Sequence, residues 1–359
     1  MTLRPFSVAF AVLLSIASFL ACACVLTAQT TPASAPNANI VQAPAQTLLG
    51  QGWGVDHVGV AVRDLAQAQH DYEKLGFKVG KGGHIPGGVS NAIVSFQKNS
   101  HLELLSVSGS TPIKPGMASM IAAFLKKHEG AVFLGVEVSS AKATADYLKA
   151  RTFEVDGPQP GSYMKEGETT LLPPMWYSVS PADEPVAGTK GMILPIFFIE
   201  YVPSERREKR RAAGEMDQPN TAIGIHAVWF AVHDLEGQLS TLHDAGLESG
   251  EASEAKFLGA HGRDVKAGQG VLLLLEASDK NGVLAKYLSD HTNWIDGWPH
   301  DEGIIGVSIE VADLGKARQL AESGTGRKLE TYKGSYGASF LLPAEVTHGV
   351  WMEMFQVEH

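Results

Sequence analysis

Asp56-His57-Val58-Gly59-Val60-Ala61-Val62-Arg63-Asp64-Leu65 is a short run of β-branched and small residues closed by an aspartate, and the phrase returns along the chain. It recurs as His226-Ala227-Val228-Trp229-Phe230-Ala231-Val232-His233-Asp234-Leu235 and as Gly306-Val307-Ser308-Ile309-Glu310-Val311-Ala312-Asp313-Leu314. A weaker copy runs from Phe133 to Val138 and into Ser139 and Ser140. Such a run suits a strand, and the Asp or Ser after it can accept the free N–H groups of a helix start. Helical spacing follows in Leu65, Ala68, Tyr72 and Leu75, in Leu235, Leu239 and Leu242, and in Leu314, Ala317 and Ala321. Gly76, Gly246 and Gly324 stand where a left-handed residue can end each helix. Strand-like runs come next: Ala92–Phe96 and His101–Val107, Thr169–Leu172 and Ile196–Val202, Val271–Glu276, then Ser339–Leu342 and Val350–Val357. The repeat predicts an α+β chain of four tandem βαβββ modules.

The modules pair. A helix is expected at Met117–Lys127 between the first and second, and another at Val283–Leu288 between the third and fourth, so one large pattern occurs twice. This organisation predicts an N-terminal domain over 51–203, a linker over 204–221 and a C-terminal domain over 222–359. The basic cluster Arg206-Arg207-Glu208-Lys209-Arg210-Arg211 in the linker reads as a solvated helix face.

At 359 residues the chain is long enough for two domains. A formal net charge of −10 argues against a sequence-independent grip on nucleic acid, which needs clustered Lys and Arg. A small molecule is the expected partner, and a homodimer is left open. Arg4 followed by the apolar stretch Phe6–Leu26 reads as a secretory signal peptide over 1–28, which predicts a periplasmic or secreted protein with no stable membrane insertion. A retained membrane anchor is the alternative, as is a lipoprotein modified at Cys22. Both cysteines, Cys22 and Cys24, lie in this leader, so the body has no thiol for nucleophilic catalysis or disulfides. An Ala-, Pro- and Thr-rich spacer is expected over 29–50.

With these phrases in view, the chain resembles the vicinal oxygen chelate superfamily and its glyoxalase-like domains. The resemblance is carried by Asp56–Val62, by Gly82-Gly83-His84 through Gly87 and Asn91, by His101-Leu102-Glu103-Leu104-Leu105 and by Leu194–Glu200. It implies the glyoxalase/dihydroxybiphenyl dioxygenase-like fold, in which pairs of modules form two cupped mixed sheets, and a divalent metal bound from equivalent positions on the first and last strand of each module. On first strands, His57 is matched by Phe133, Ala227 and Gly306; on last strands, Glu103, Glu200 and Glu353 are expected to share a register in which the third module has Leu273. The implied ligands are therefore His57, Glu103 and Glu200, holding Fe, Mn, Zn, Ni or Co, and the C-terminal half is expected to lack metal.

The resemblance also implies catalytic roles for Glu200 or Glu103 as base, assisted by His84, and substrate contacts from His84 and Asn91. Trp176 and Tyr177, after Pro173-Pro174, suit either an aromatic pocket wall or core packing. His226 aligns with Asp56 and is expected to be structural. The implied activity is metal-dependent chemistry on a small oxygen-rich molecule, of the glyoxalase-like lyase or isomerase kind or dioxygenation. The alternative is a metal-free sequestering protein of the bleomycin-resistance type.

Overall fold

The computed structural model describes residues 47–107, 116–164, 170–290 and 302–357. The expected signal peptide and most of the spacer lie outside them. The first module comprises β1 (Gly54–Ala61), α1 (Leu65–Lys74), β2 (Gly80–Ile85), β3 (Val89–Ser95) and β4 (His101–Val107). Helix α2 (Met117–Leu125) leads to β5 (Gly130–Glu137), α3 (Ala141–Lys149), β6 (Val155–Gly161), β7 (Trp176–Pro181) and β8 (Ile196–Tyr201). After α4 (Arg206–Ala212) come β9 (Ala222–Val232), α5 (Leu235–Asp244), β10 (Ser249–Ala255), β11 (Ala260–Ala267) and β12 (Gly270–Ala277). Helix α6 (Val283–Asp290) precedes β13 (Gly303–Val311), α7 (Leu314–Thr325), β14 (Thr331–Lys333), β15 (Ala338–Leu342) and β16 (Trp351–Gln356).

Each expected helix start is present. The side chains of Asp64, Ser140, Asp234 and Asp313 accept from the backbone N–H three residues on, satisfying donors that the helix itself leaves open. Two eight-stranded sheets have the same order, β2-β3-β4-β1-β5-β8-β7-β6 and β10-β11-β12-β9-β13-β16-β15-β14. Within each module the first and last strands run parallel, and the two modules join through an antiparallel pair, β1 with β5 and β9 with β13. These are the two cupped mixed sheets of the expected fold.

The outer strands differ from the sequence reading. The expected strand at Thr169–Leu172 is not formed over 170–172, where Leu171 makes only a bridge to Met164, and β7 takes its place. The edge strands β2 and β6 escape the apolar-alternation test because they carry Gly80, Gly82, Gly83, Gly157, Pro158 and Pro160, which an edge tolerates. The end of the expected spacer is packed rather than loose: Leu48 is buried, its carbonyl accepts from Thr144 Oγ1 at 2.8 Å, and Leu49 O accepts from Ser139 N. Two leucines at the close of a polar stretch are enough to anchor it.

One apolar core runs through both halves, from Val58, Val60 and Phe198 in the first sheet to Val228, Phe230 and Met352 in the second, with α1, α3, α5 and α7 between them. Gly324 does not end α7; Gly326, with φ +66°, does. Gly324 instead permits α1 to pack closely, since a Cβ there would lie 2.0 Å from Lys74 O. Nearby, His348 bridges the halves, its Nδ1 3.0 Å from Glu129 and its Nε2 3.5 Å from Asp71, while Tyr72 donates to Thr347 O. The His348 hydrogen bond is the largest influence on Glu129 and, with Arg63 N also donating to it, holds that carboxyl below its ordinary range.

Gly324→Ala should destabilise the protein by about 2 kcal/mol, despite alanine's better helix propensity, because the added methyl forces α1 and α7 apart; urea midpoints measure this, and an unchanged midpoint would refute it. His348→Asn, which keeps the left-handed backbone accessible, should cost about 1 kcal/mol near neutrality. Because the Glu129 pKa is depressed in the folded state, that stabilisation is present above the ordinary glutamate value and is lost as pH falls through the lowered one. The gap between parent and variant should therefore close in acid; a gap constant from pH 7 to pH 3 would show that the ion pair does not carry it.

Candidate active site in the N-terminal cup

The site begins with an irregularity in β1. Opposite β5, Val55 pairs with Val136 and His57 with Gly135, so Asp56 is an extra residue, a β-bulge. Asp56 and His57 consequently meet: His57 Nδ1 lies 2.6 Å from Asp56 Oδ2. Tyr201 OH donates to the same oxygen at 2.7 Å, and Arg207 Nη2 approaches Asp56 Oδ1 at 3.7 Å. Burial raises the Asp56 pKa, but the His57 hydrogen bond and the charges of His57 and Arg207 outweigh it, and the group stays below the usual carboxylate range. His57 shows the mirror effect: burial lowers its pKa, and the Asp56 hydrogen bond with the Asp56 and Glu103 charges raises it above the ordinary value.

On the other side of the ring, His57 Nε2 faces Glu103 Oε2 at 3.8 Å. Asn91 Nδ2 donates to Glu103 Oε1, and Asn91 Oδ1 accepts from Gly83 N at 2.5 Å. His57 and Glu103 are 5% and 6% exposed, so this charge lies inside the protein. His101 stacks on His57 with centroids 4.6 Å apart; burial and the neighbouring His57 charge push its pKa down to about 3, which keeps it neutral. Phe133 and Phe197 meet the His57 ring edge-on at 5.8 and 5.5 Å. Tyr163 packs on Trp176 at 5.2 Å, and burial followed by the Glu103 charge pushes its pKa up to about 12.

The structure brings His57, Glu103, Asn91 and Trp176 together and leaves Glu200, His84 and Tyr177 elsewhere. Gly59 pairs with Glu103 and its counterpart Gly135 pairs with Phe197, so Phe197 occupies the register assigned to Glu200. Glu200 lies three residues on, an odd offset that turns it to the helix-covered face, where it accepts from Ala141 N at the start of α3 at 2.7 Å. It is a helix cap, not a ligand to this site. Tyr177 pairs with Glu200 and shares its face. His84 is exposed on β2, and its Nδ1 bonds Ser90 Oγ, on the face opposite Asn91. Asn91 itself holds Glu103 rather than lying free to meet substrate.

Sequence reasoning missed Asp56, His101, Tyr163, Tyr201 and Arg207. The adjacent Asp56-His57 and the His101/Glu103 spacing were visible as residue types, but the bulge that unites them was not. The reading of 204–221 as a solvated linker also changes. Arg207 Nη1 bonds Glu137 at 3.0 Å and its guanidinium lies 4.9 Å from the centre of the Tyr201 ring; Arg210 Nη2 donates to Ser95 Oγ at 3.2 Å; Arg211 reaches Gln97 O and Asn99 Oδ1. Alternate residues of a helix face can be exposed while the others fasten it to the sheet.

The C-terminal cup is closed by its own side chains. Trp229 stands where the first module has Gly59, and its Nε1 donates to Ser308 Oγ at 2.9 Å. Ser308 and Tyr332 donate to the two oxygens of Glu353 at 2.7 and 3.0 Å. His226 packs against Tyr336 and Phe355, the structural role expected of it. Among the described residues, the one grouping of three potential metal ligands is Asp56, His57 and His101.

The sequence matches the family described as a glyoxalase-like domain over residues 55–246. No curated protein matches it. Among solved structures, a hypothetical protein from Staphylococcus aureus aligns with a TM-score of 0.55 at 12% identity, over 84% of this chain and 98% of that one. A mutant 4-hydroxymandelate synthase from Streptomyces coelicolor aligns with a TM-score of 0.54 at 12% identity, over 86% and 93% respectively. A xylose isomerase-like TIM barrel/4-hydroxyphenylpyruvate dioxygenase fusion protein aligns at 0.53 and 12%, over 90% of this chain and 51% of that one. At such identities these structures share the fold. No helix among the described residues is long and apolar enough to cross a membrane. The family match from β1 to the end of α5, on two sheets of identical βαβββ order, means that the chain belongs to the glyoxalase-like domain family of the vicinal oxygen chelate superfamily.

Proposed function

We propose that the N-terminal cup is the active site of an enzyme that holds a divalent ion between His57 and Glu103 and acts on a small oxygen-rich molecule by glyoxalase-like lyase or isomerase chemistry. The observation that carries this reading is the buried line Asp56, His57, Glu103. Asp56 takes the Nδ1 proton of His57 and so turns Nε2 toward Glu103, the carboxylate–histidine arrangement that supports metal ligands in general. The 3.8 Å between Nε2 and Oε2 is less than twice a ligand distance of about 2.1 Å, so both atoms can share one ion. Stacked parallel to His57, His101 cannot aim its in-plane lone pair at the same point without turning, and Asp56 is already engaged; both are supports rather than ligands.

When bound, the ion supplies Lewis-acid polarisation of substrate oxygens. The chain does the rest. Asn91 fixes Glu103 Oε1 and leaves Oε2 toward the cup, where, once released from the ion, it would accept a proton from a substrate carbon and return it to the neighbouring position. Phe133, Phe197, Tyr163 and Trp176 exclude water from that exchange. A second reading, a metal-free binding cup, is favoured by one observation: two of the four superfamily ligand positions in this half hold Phe133 and Phe197.

Elemental analysis of the tag-free protein, with titration of Fe(II), Mn, Zn, Ni and Co into chelated samples, separates the readings. Stoichiometric metal is expected in the parent and in Glu200→Ala, and none in His57→Ala or Glu103→Ala; a parent that takes up none of these ions would end the enzyme reading. Asp56→Asn should weaken metal binding by about 10- to 100-fold with the ligands intact; unchanged affinity would remove Asp56 from its supporting role.

A further inference from the structure

The accessible lining of the N-terminal cup is aromatic. Phe133 on β5 and Phe197 on β8 are half-buried, while their neighbours Leu134, Ile196 and Phe198 belong to the core. Successive residues of a strand point to opposite faces, so the open side of each phenyl ring is the side turned into the cup. Trp176 on β7 and Tyr163 after β6 are half-buried as well, whereas His57 and Glu103 have almost no exposure. A molecule that reaches the pair therefore meets rings first. Those rings are ordered among themselves. His57, Phe133 and Phe197 meet pairwise edge to face, at interplanar angles of 85°, 73° and 75°, and the two phenyl centroids are 5.4 Å apart. Glycines hold the rings close to the backbone: a Cβ on Gly83 would lie 3.1 Å from the Tyr163 ring and one on Gly161 would lie 1.9 Å from Trp176 Nε1.

We infer that the substrate is an aryl compound, with its ring seated against Phe133 and Phe197 and its oxygens on the attached carbons directed at the His57–Glu103 pair. This deepens the proposed function and rests on the N-terminal cup being the place of reaction. Register supports the placement. Phe197 pairs with Gly135 and Gly135 with His57, while Phe133 pairs with Gly59 and Gly59 with Glu103, so each phenyl stands two strands from one member of the pair with only a glycine between. A group held at the pair then has its remaining bulk beside the two rings. An alkyl body gains burial there, whereas an aryl body gains burial and a further edge-to-face contact with rings that are already fixed. The order of the cluster thus favours a planar aromatic ring over a saturated one of equal size.

The test is calorimetric titration of the full chain with 2-hydroxyacetophenone, its cyclohexyl counterpart and hydroxyacetone, with metal content measured on the same samples. The three share one α-hydroxyketone and differ in the body attached to it. The aryl ketone is expected to bind about tenfold more tightly than the cyclohexyl ketone, and hydroxyacetone most weakly. Phe197→Leu, which keeps an apolar side chain, should lower affinity for the aryl ketone about tenfold, abolish the preference over cyclohexyl and leave hydroxyacetone binding and metal content unchanged; Phe133→Leu serves as an independent second variant. A cyclohexyl ketone that binds as well as the aryl one, no binding of any of the three, or an aryl preference that survives in both leucine variants would each overturn the inference. Aryl preference that depends on the two phenylalanines in a protein that takes up no metal would support the ring site while removing the metal-dependent reading, and metal uptake without aryl preference would do the reverse.

Discussion

A carboxylate taken wholly out of water has to be neutralised where it lies, or it costs several kcal/mol. Asp56 has no exposed surface, and its compensation comes from separate parts of the chain: His57 in β1, Tyr201 at the end of β8 and Arg207 in α4. Its Oδ1 has no hydrogen bond, so Arg207 at 3.7 Å supplies charge rather than a direct donor there. The first strand of one module, the last strand of the next and the segment that leads to the second half are thereby drawn to one point. The same arrangement fixes which ring nitrogen of His57 looks into the cup. Fold and chemistry meet at this residue because the bulge in β1 puts it beside its neighbour instead of across the sheet.

The pseudo-symmetry of the modules explains why, among the described residues, the N-terminal cup has a histidine facing its carboxylate and the C-terminal cup does not. In β1 and β5, His57 and Phe133 lie at equivalent positions, and each ring crosses a glycine on the facing strand. A Cβ on Gly135 would lie 2.3 Å from the His57 ring, and one on Gly59 would lie 2.4 Å from Phe133. In β9 and β13 the sizes are exchanged: Ala227 and Gly306 stand at the ring positions, and Trp229 and Ser308 at the glycine positions. Bulk is conserved across the strand pair while its placement is reversed. The result is an indole in the C-terminal cup, closing over Glu353 with hydrogen bonds supplied from within, and an imidazole in the N-terminal cup with one nitrogen still facing a carboxylate.

This contrast also shows what could be seen in the residues alone. The inner strands and the caps were legible because they combine apolar alternation with Asp64, Ser140, Asp234 or Asp313, two signals that agree. The edge strands were not, since glycine and proline there weaken the alternation that marks a strand. His57 and Glu103 were singled out by the family resemblance, and the structure brings their side chains to 3.8 Å of each other. Glu200 was misplaced because Ile199-Glu200-Tyr201 looks like Leu102-Glu103-Leu104, and an error of three positions on a strand changes the face. Asp56 was passed over for the converse reason: strict alternation puts it opposite His57, and only the bulge reverses that.

Helix α4 carries the remaining logic. Read as a sequence, its arginines form an undivided basic cluster; in the fold they serve three distances from the cup. Arg207 acts at the buried Asp56, Arg210 and Arg211 fasten the helix to β3 and the turn after it, and Arg206 is left exposed. The segment between the halves is accordingly part of the site, and the basic run is explained by the geometry of one face rather than by attraction to a polyanion.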